Sequence, residues 1–288
     1  MKPKLSVLFV AEMIGTFLLV FLGCGSVHTA VVMGAQMGVW QVGIVWGLSI
    51  ILAIFCVGSL SGAHINPAIS IACVVWGELK ASRLPIYLAG QFCGAFLAAA
   101  TLYALFSPMI ANYEKQHGVV RGQPESVITA MCYGEYYPNP GGLTDSEAGI
   151  GAALGPHFAS YGQLNAFCVE LLGTAILAMV VFAVTDSRNS GAPPVALAPV
   201  FIGLTVSALI SVLAPLTQAC FNPARDFAPR LFAYLAGWGD VALPGPNGIG
   251  FFTVYLIAPI LGACMGSGLW KLYLQDAQPE QAPENESP

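Results

Sequence analysis

Ser61-Gly62-Ala63-His64-Ile65-Asn66-Pro67-Ala68, repeated in essence as Phe221-Asn222-Pro223-Ala224-Arg225-Asp226, decides how this chain folds. Asn is a preferred helix cap and Pro is favoured at the first helical position, where its missing N–H costs nothing, so each Asn-Pro-Ala reads as a helix start. The apolar runs that follow, Asn66 to about Trp76 and Asn222 to about Leu235, hold roughly ten to fourteen residues. At about 1.5 Å per residue such helices cross only about half of a hydrocarbon layer about 30 Å thick. Each is a half-span whose asparagine marks the inner tip.

Working outward, six stretches of about 20 apolar residues are long enough to cross a bilayer: 6–27, 38–60, 84–106, 164–185, 195–216 and 250–273. Composition agrees. Of 288 residues 56% are hydrophobic and 9% charged, against roughly 25% charged in a soluble domain. The 32 glycines and 20 prolines suit membrane helices, which tolerate both. Glu12 interrupts the first run and no small-residue cleavage site follows, so that run is expected to be retained as a span. A net charge of −5 gives no basic footprint for nucleic acid. The eight cysteines form no CxxC and sit largely in apolar runs, which reads as small buried hydrophobes. No metal or other cofactor is expected.

The two half-spans belong to a repeat. Ala11-Glu12-Met13-Ile14-Gly15-Thr16 precedes Asn66 much as Val169-Glu170-Leu171-Leu172-Gly173-Thr174 precedes Asn222, the glutamate-to-asparagine intervals being 54 and 52 residues. Three spans per copy is an odd number, so the second copy must lie upside down relative to the first. The expected architecture is an all-α integral membrane protein with six transmembrane helices, two re-entrant half-helices and inverted three-helix repeats. Its parts are a first repeat over 1–106, a long connection over 107–162, a second repeat over 163–273 and a disordered tail over 274–288. Lys2, Lys4, Lys80, Arg83, Arg188 and Lys271 fall on the side of the termini, against Lys115 and Arg121 opposite, which places both termini in the cytoplasm and the connection outside. Tyr133, Tyr136, Tyr137, Pro138 and Pro140 suggest that the connection covers the outer vestibule or serves a partner.

Two half-helix N-termini aimed at one point concentrate partial positive charge in a low-dielectric setting, a barrier to cations and protons. The Asn66 and Asn222 amides supply donors to a passing oxygen. Uncharged solutes are the molecules such a lane would admit. Arg225, one turn in from the second tip, is costly in a membrane unless it lines a watery path; Asp226 beside it suits the helix dipole in any case. Glu12 and Glu170 are buried acids best explained as acceptors for the exposed N–H groups of the half-helix loops. His64 is expected to bond loop backbone. Gly90 and Gly94, like Gly262 and Gly266, lie four apart and suit close helix crossing.

The motifs with their flanks resemble those of the major intrinsic proteins, the aquaporins and aquaglyceroporins, over about residues 5–273. The resemblance implies a pore in each subunit of a homotetramer, passing glycerol, other small neutral solutes and water. Asn66, Asn222, Pro67, Ala68, Pro223 and Ala224 would form its centre and Arg225 its narrowest constriction. Asp226 directly after that arginine is a mark of the glycerol-conducting branch. Spacing carries over Trp46 as the filter tryptophan and Ile210 and Ala219 as the remaining wall positions. That last pair departs from glycerol facilitators and looks closer to plant nodulin-26-like channels, and Tyr255 stands where the glycerol branch has proline. The competing readings are a broader nodulin-26-like solute channel, a water-selective aquaporin, disfavoured by Asp226 and by the lack of a fifth-span histidine, and an ion-coupled transporter, which would need more embedded acids. A membrane enzyme would need a nucleophile, base or metal cluster that the motifs do not supply.

Overall fold

The computed structural model describes residues 3–142, 161–243 and 250–275, and every regular element among them is helical. The main helices are α1 (Leu5–Met33), α2 (Val39–Ser61), the short α3 (Pro67–Val75), α4 (Leu84–His117), α5 (Gln163–Thr185), α6 (Ala198–Thr217), the short α7 (Pro223–Ala233) and α8 (Gly250–Leu274), besides shorter helical turns such as Val127–Ala130. Six of the eight are long and apolar enough to cross a membrane. Their outward faces carry large exposed apolar side chains such as Leu48, Leu52, Phe55, Leu204, Val212 and Met265, far more than a water-exposed surface holds.

The packing of one half is repeated in the other. α1 lies on α4 and α2, α5 lies on α8 and α6, and α2 meets α6 at the centre. Each half-helix packs chiefly against the last long helix of the opposite half, α3 on α8 and α7 on α4. The paired glycines explain how the helices come so close. A Cβ at Gly94 of α4 would strike the carbonyl of Met13 in α1, and one at Gly262 of α8 would strike the carbonyl of Leu171 in α5. Gly90 and Gly266 make the same kind of contact with Phe9 and Ala175.

Two boundaries differ from the sequence reading. The third long helix continues past residue 106 to His117, with Pro108 inside it, because Ile110 and Glu114, one turn apart, are both buried on its inner face. Glu114 there binds Arg121 through a 2.9 Å ion pair and accepts from the Thr129 hydroxyl at 2.9 Å, so the helix end anchors the connection that follows. At the other terminus Gln275 is buried and bonds Asp186, so the expected tail lies in 276–288, outside the described residues. Residues 143–160 of the connection are outside them as well.

Candidate functional site

Each Asn-Pro-Ala starts its helix as the sequence implies. The Asn66 side chain accepts from the Ala68 N–H at 2.9 Å, and the Asn222 side chain accepts from those of Ala224 and Arg225 at 3.1 and 3.3 Å. Pro67 and Pro223 occupy the first helical positions and are buried with Ala68 and Ala224. The amide nitrogens then reach across the molecule: Asn66 Nδ2 donates to the Phe221 carbonyl and Asn222 Nδ2 to the Ile65 carbonyl, both at 2.8 Å. The two tips therefore meet, and each closes on the residue just before the other's asparagine.

The loops leading into the tips are held in a conformation that ordinary residues avoid. Ala63, Ile65, Ala219 and Phe221 have φ of 47°, 45°, 59° and 54°, left-handed backbone that costs on the order of 1–3 kcal/mol per residue and needs outside support. Glu12 supplies it in the first half, accepting from the N–H groups of His64 (3.0 Å) and Ile65 (2.7 Å), the Ser61 hydroxyl (2.6 Å) and the Gln91 amide (2.7 Å). Glu170 does the same in the second, accepting from the N–H groups of Cys220 (3.0 Å) and Phe221 (2.9 Å) and from the Thr217 hydroxyl (2.6 Å). The glycine three residues after each glutamate clears room for the strained side chain. A Cβ at Gly15 would lie 2.7 Å from Ile65 Cγ2, and one at Gly173 would lie 2.6 Å from Phe221 Cζ. The His64 ring differs from expectation: it bonds the Ser70 hydroxyl at 3.1 Å and leans on Tyr87 instead of bonding loop backbone.

A cavity of about 960 Å³ runs from Arg83, Asp186 and Arg188, on the face that carries the end of α8, to His64, Asn66 and Asn222. A second, of about 370 Å³, is lined by Trp46, Ile210, Gln218 and Glu135 among others. The two have no lining residue in common. Arg225 lines neither, but its guanidinium lies 4.3 Å from the ring centroid of Trp46, a wall residue of the second cavity, and the two side chains form a collar at its edge. A Cβ at Gly23 of α1 would lie 2.5 Å from Trp46 Cδ2, so that glycine fixes how deeply the indole sits. Ala219 shares the apolar cluster that contains Trp46 and Ile210.

A profile of the major intrinsic proteins matches residues 2–270. This chain belongs to that family. It is 41% identical to a glycerol uptake facilitator of Pseudomonas aeruginosa over 280 residues, 97% of this chain and 93% of that one. It is 37% identical to a propanediol uptake facilitator of Citrobacter freundii, covering 94% and 93%. The X-ray structure of the aquaglyceroporin from Plasmodium falciparum superposes with a TM-score of 0.77 at 25% identity, covering 95% of this chain and 99% of that one.

What distinguishes this major intrinsic protein from the sequence reading is the partner of Arg225. The arginine does not stand alone: its Nη2 makes an ion pair with Glu135 Oε1, and both side chains are almost fully buried. Glu135 comes from the connection after α4, whose described part lines the second cavity with Met131, Glu135 and Asn139. Burial pushes its carboxyl up to about 8, against the pull of Arg225. The loop is fastened from beneath by Asp226, whose Oδ1 accepts from the Glu135 N–H at 2.7 Å and from Arg230 Nη2 at 2.8 Å. Arg230 also donates to the carbonyls of Glu135 and Ala242. Gln218 accepts from the Tyr136 N–H at 2.8 Å, and Asn139 donates to the Ala214 carbonyl at 3.0 Å. Asp226 is thus a loop anchor as well as a first-turn acid.

Tyr255 also acquires a reason. Its hydroxyl donates to the Thr217 carbonyl at 3.0 Å just as Tyr87 donates to the Ser61 carbonyl at 2.6 Å, so the two tyrosines are counterparts in the two halves. Comparing the sequence around Tyr87 and Tyr255 between repeats would have found that signal. For Glu135 the sequence holds none, because its partners lie about 90 residues away.

Proposed function

We propose that this multi-pass membrane protein is a passive channel for glycerol and other small neutral solutes, also passing water and refusing protons and ions, and that it is not an enzyme. The observation carrying this reading is the reciprocal clamp of Asn66 and Asn222 at the end of the first cavity, with Arg225 and Trp46 in the collar beyond it. A polyol entering from outside would lay its carbon chain on Trp46 and Ile210, give its oxygens to Arg225, and hand them on to Asn222 and Asn66. Ala219 completes the apolar wall. An oxygen held by donors from both asparagines has no lone pair free to accept a proton along a water file, and the two helix N-termini add a positive field.

The embedded acids support passive flow over ion coupling, since the oxygens of Glu12, Glu170 and Asp226 already accept from loop and arginine donors. The likeness to a propanediol facilitator and the Ile210–Ala219 pair favour a filter tolerant of less polar solutes, in the manner of nodulin-26-like channels. Four copies per assembly, residence in the cell membrane and cytoplasmic termini complete the reading. It is tested by stopped-flow light scattering on vesicles carrying the purified protein. Glycerol re-entry should be fast and independent of pH and sodium gradients; water shrinkage without glycerol entry, or entry that needs an ion gradient, overturns it.

A further inference from the structure

The collar holds two buried polar atoms without hydrogen-bond partners: Nη1 of Arg225 and Oε2 of Glu135. They belong to the two side chains joined through Nη2 and Oε1, so an unfilled donor and an unfilled acceptor are presented by one ion-paired unit. Buried polar atoms are rarely left unpaired, and such an atom at a constriction points to a transient partner. Glu135 lines the second cavity with Trp46 and Ile210, which puts its carboxylate where a descending solute arrives. Its backbone is locked on both sides, the N–H to Asp226 and the carbonyl to Arg230, so the carboxylate is a fixed feature of the wall.

We propose that Glu135 is a specificity-determining residue of the collar, accepting a hydrogen from the solute at Oε2 while Arg225 Nη1 donates to the solute's oxygen. The inference rests on the collar being the solute path. It selects small neutral molecules that present a hydrogen donor beside an oxygen: polyols, and with them ureas and simple amides. The two classes differ in one useful way. A hydroxyl can turn round and accept, whereas an amide N–H can only donate. Ureas therefore depend on Glu135 more strongly than glycerol does.

Glu135→Gln is the informative change. It keeps an acceptor for the Arg225 bond and replaces the free acceptor by an NH₂ donor of the same size. Reconstituted protein is compared by stopped-flow with urea, glycerol and water at pH 9. The expected result is a urea-to-glycerol flux ratio about tenfold lower than in the unaltered protein, urea flux falling further than glycerol flux, the scale of one lost charge-assisted hydrogen bond. Glu135 faces Arg225, Asp226 and Arg230 of α7 and Glu170 of α5. The thiols of Cys24, Cys132 and Cys220 and the phenols of Tyr136 and Tyr255 are also near it. Protonating Glu135 likewise removes the free acceptor, so between pH 9 and pH 6 the ratio should fall in the unaltered protein and stay flat in Glu135→Gln. A ratio within twofold of the original in Glu135→Gln, or equal pH profiles in the two proteins, overturns the proposal while leaving the channel reading standing. Absence of glycerol flux in the unaltered protein would remove the channel reading itself.

Discussion

At the scale of single residues, two glycines on α1 do more than allow helices to approach. Gly23 leaves the space that the Trp46 ring fills beside Arg225, and Gly15 leaves the space for Ile65. Gly23→Ala should push the indole into the collar. Overpacking of this kind costs typically about 1–3 kcal/mol, and glycerol flux is expected to fall about tenfold or more in vesicle uptake while the protein still assembles in the membrane. The glutamates make a second case. Glu12→Gln or Glu170→Gln would turn an NH₂ group toward N–H donors that need an acceptor, at about 1–3 kcal/mol per unsatisfied group. Thermal unfolding in detergent should show both variants destabilised, whereas proton transport, were these acids relays, would be the property affected instead. Asn66, Asn222, Glu12 and Glu170 were all legible from spacing, because each is fixed by a local rule applied twice. Glu135 was not, because no periodicity or cap singles it out. Only the folded loop brings it to Arg225.

At the scale of elements, the half-helices follow directly from Asn-Pro and their length, and the structure places them as expected. The end of α4 was misjudged because apolarity thins out after Phe106 while helical burial continues through Ile110 and Glu114. Residues 131–139 of the loop after it are held by polar fastening that hydropathy does not register. Asp226 is the fastening point, holding the Glu135 N–H and buried Arg230 together. Breaking a buried ion pair from one side costs about 3–5 kcal/mol. Asp226→Ala should therefore release residues 131–139 from α7 and expose them to limited proteolysis, with cleavage appearing there in the variant and not in the unaltered protein. Intact protection would mean that Gln218 and Asn139 hold the loop unaided.

At the scale of the whole molecule, the face at the end of α8 has its own fastening. Asp186, just past α5, accepts from the Arg188 N–H and from Trp270 Nε1, both at 3.1 Å, and from the Gln275 amide at 2.5 Å, which ties α5 to the end of α8. Burial works to raise its carboxyl, but these donors together with the Arg188 charge hold it below the ordinary value. An acid lowered in this way stabilises the fold above its unfolded-state value, about 3.9, and loses that contribution as pH falls through the folded one. Trp270 emission should be level from neutral to about pH 5 and change only in stronger acid. Asp186→Asn should abolish the acid step, and a step that survives it belongs to another group.

The crossed bonds from Asn66 to Phe221 and from Asn222 to Ile65 carry a consequence for biosynthesis. A ribosome delivers the first tip well before the second exists, so the Asn66 amide has no carbonyl to meet until the later half has been threaded into the bilayer. Neither half can finish its own centre. Chains severed within 143–160 and produced together should find one another and recover solute uptake, while either fragment produced alone should be degraded, and pulse-chase labelling of the fragments would reveal the difference.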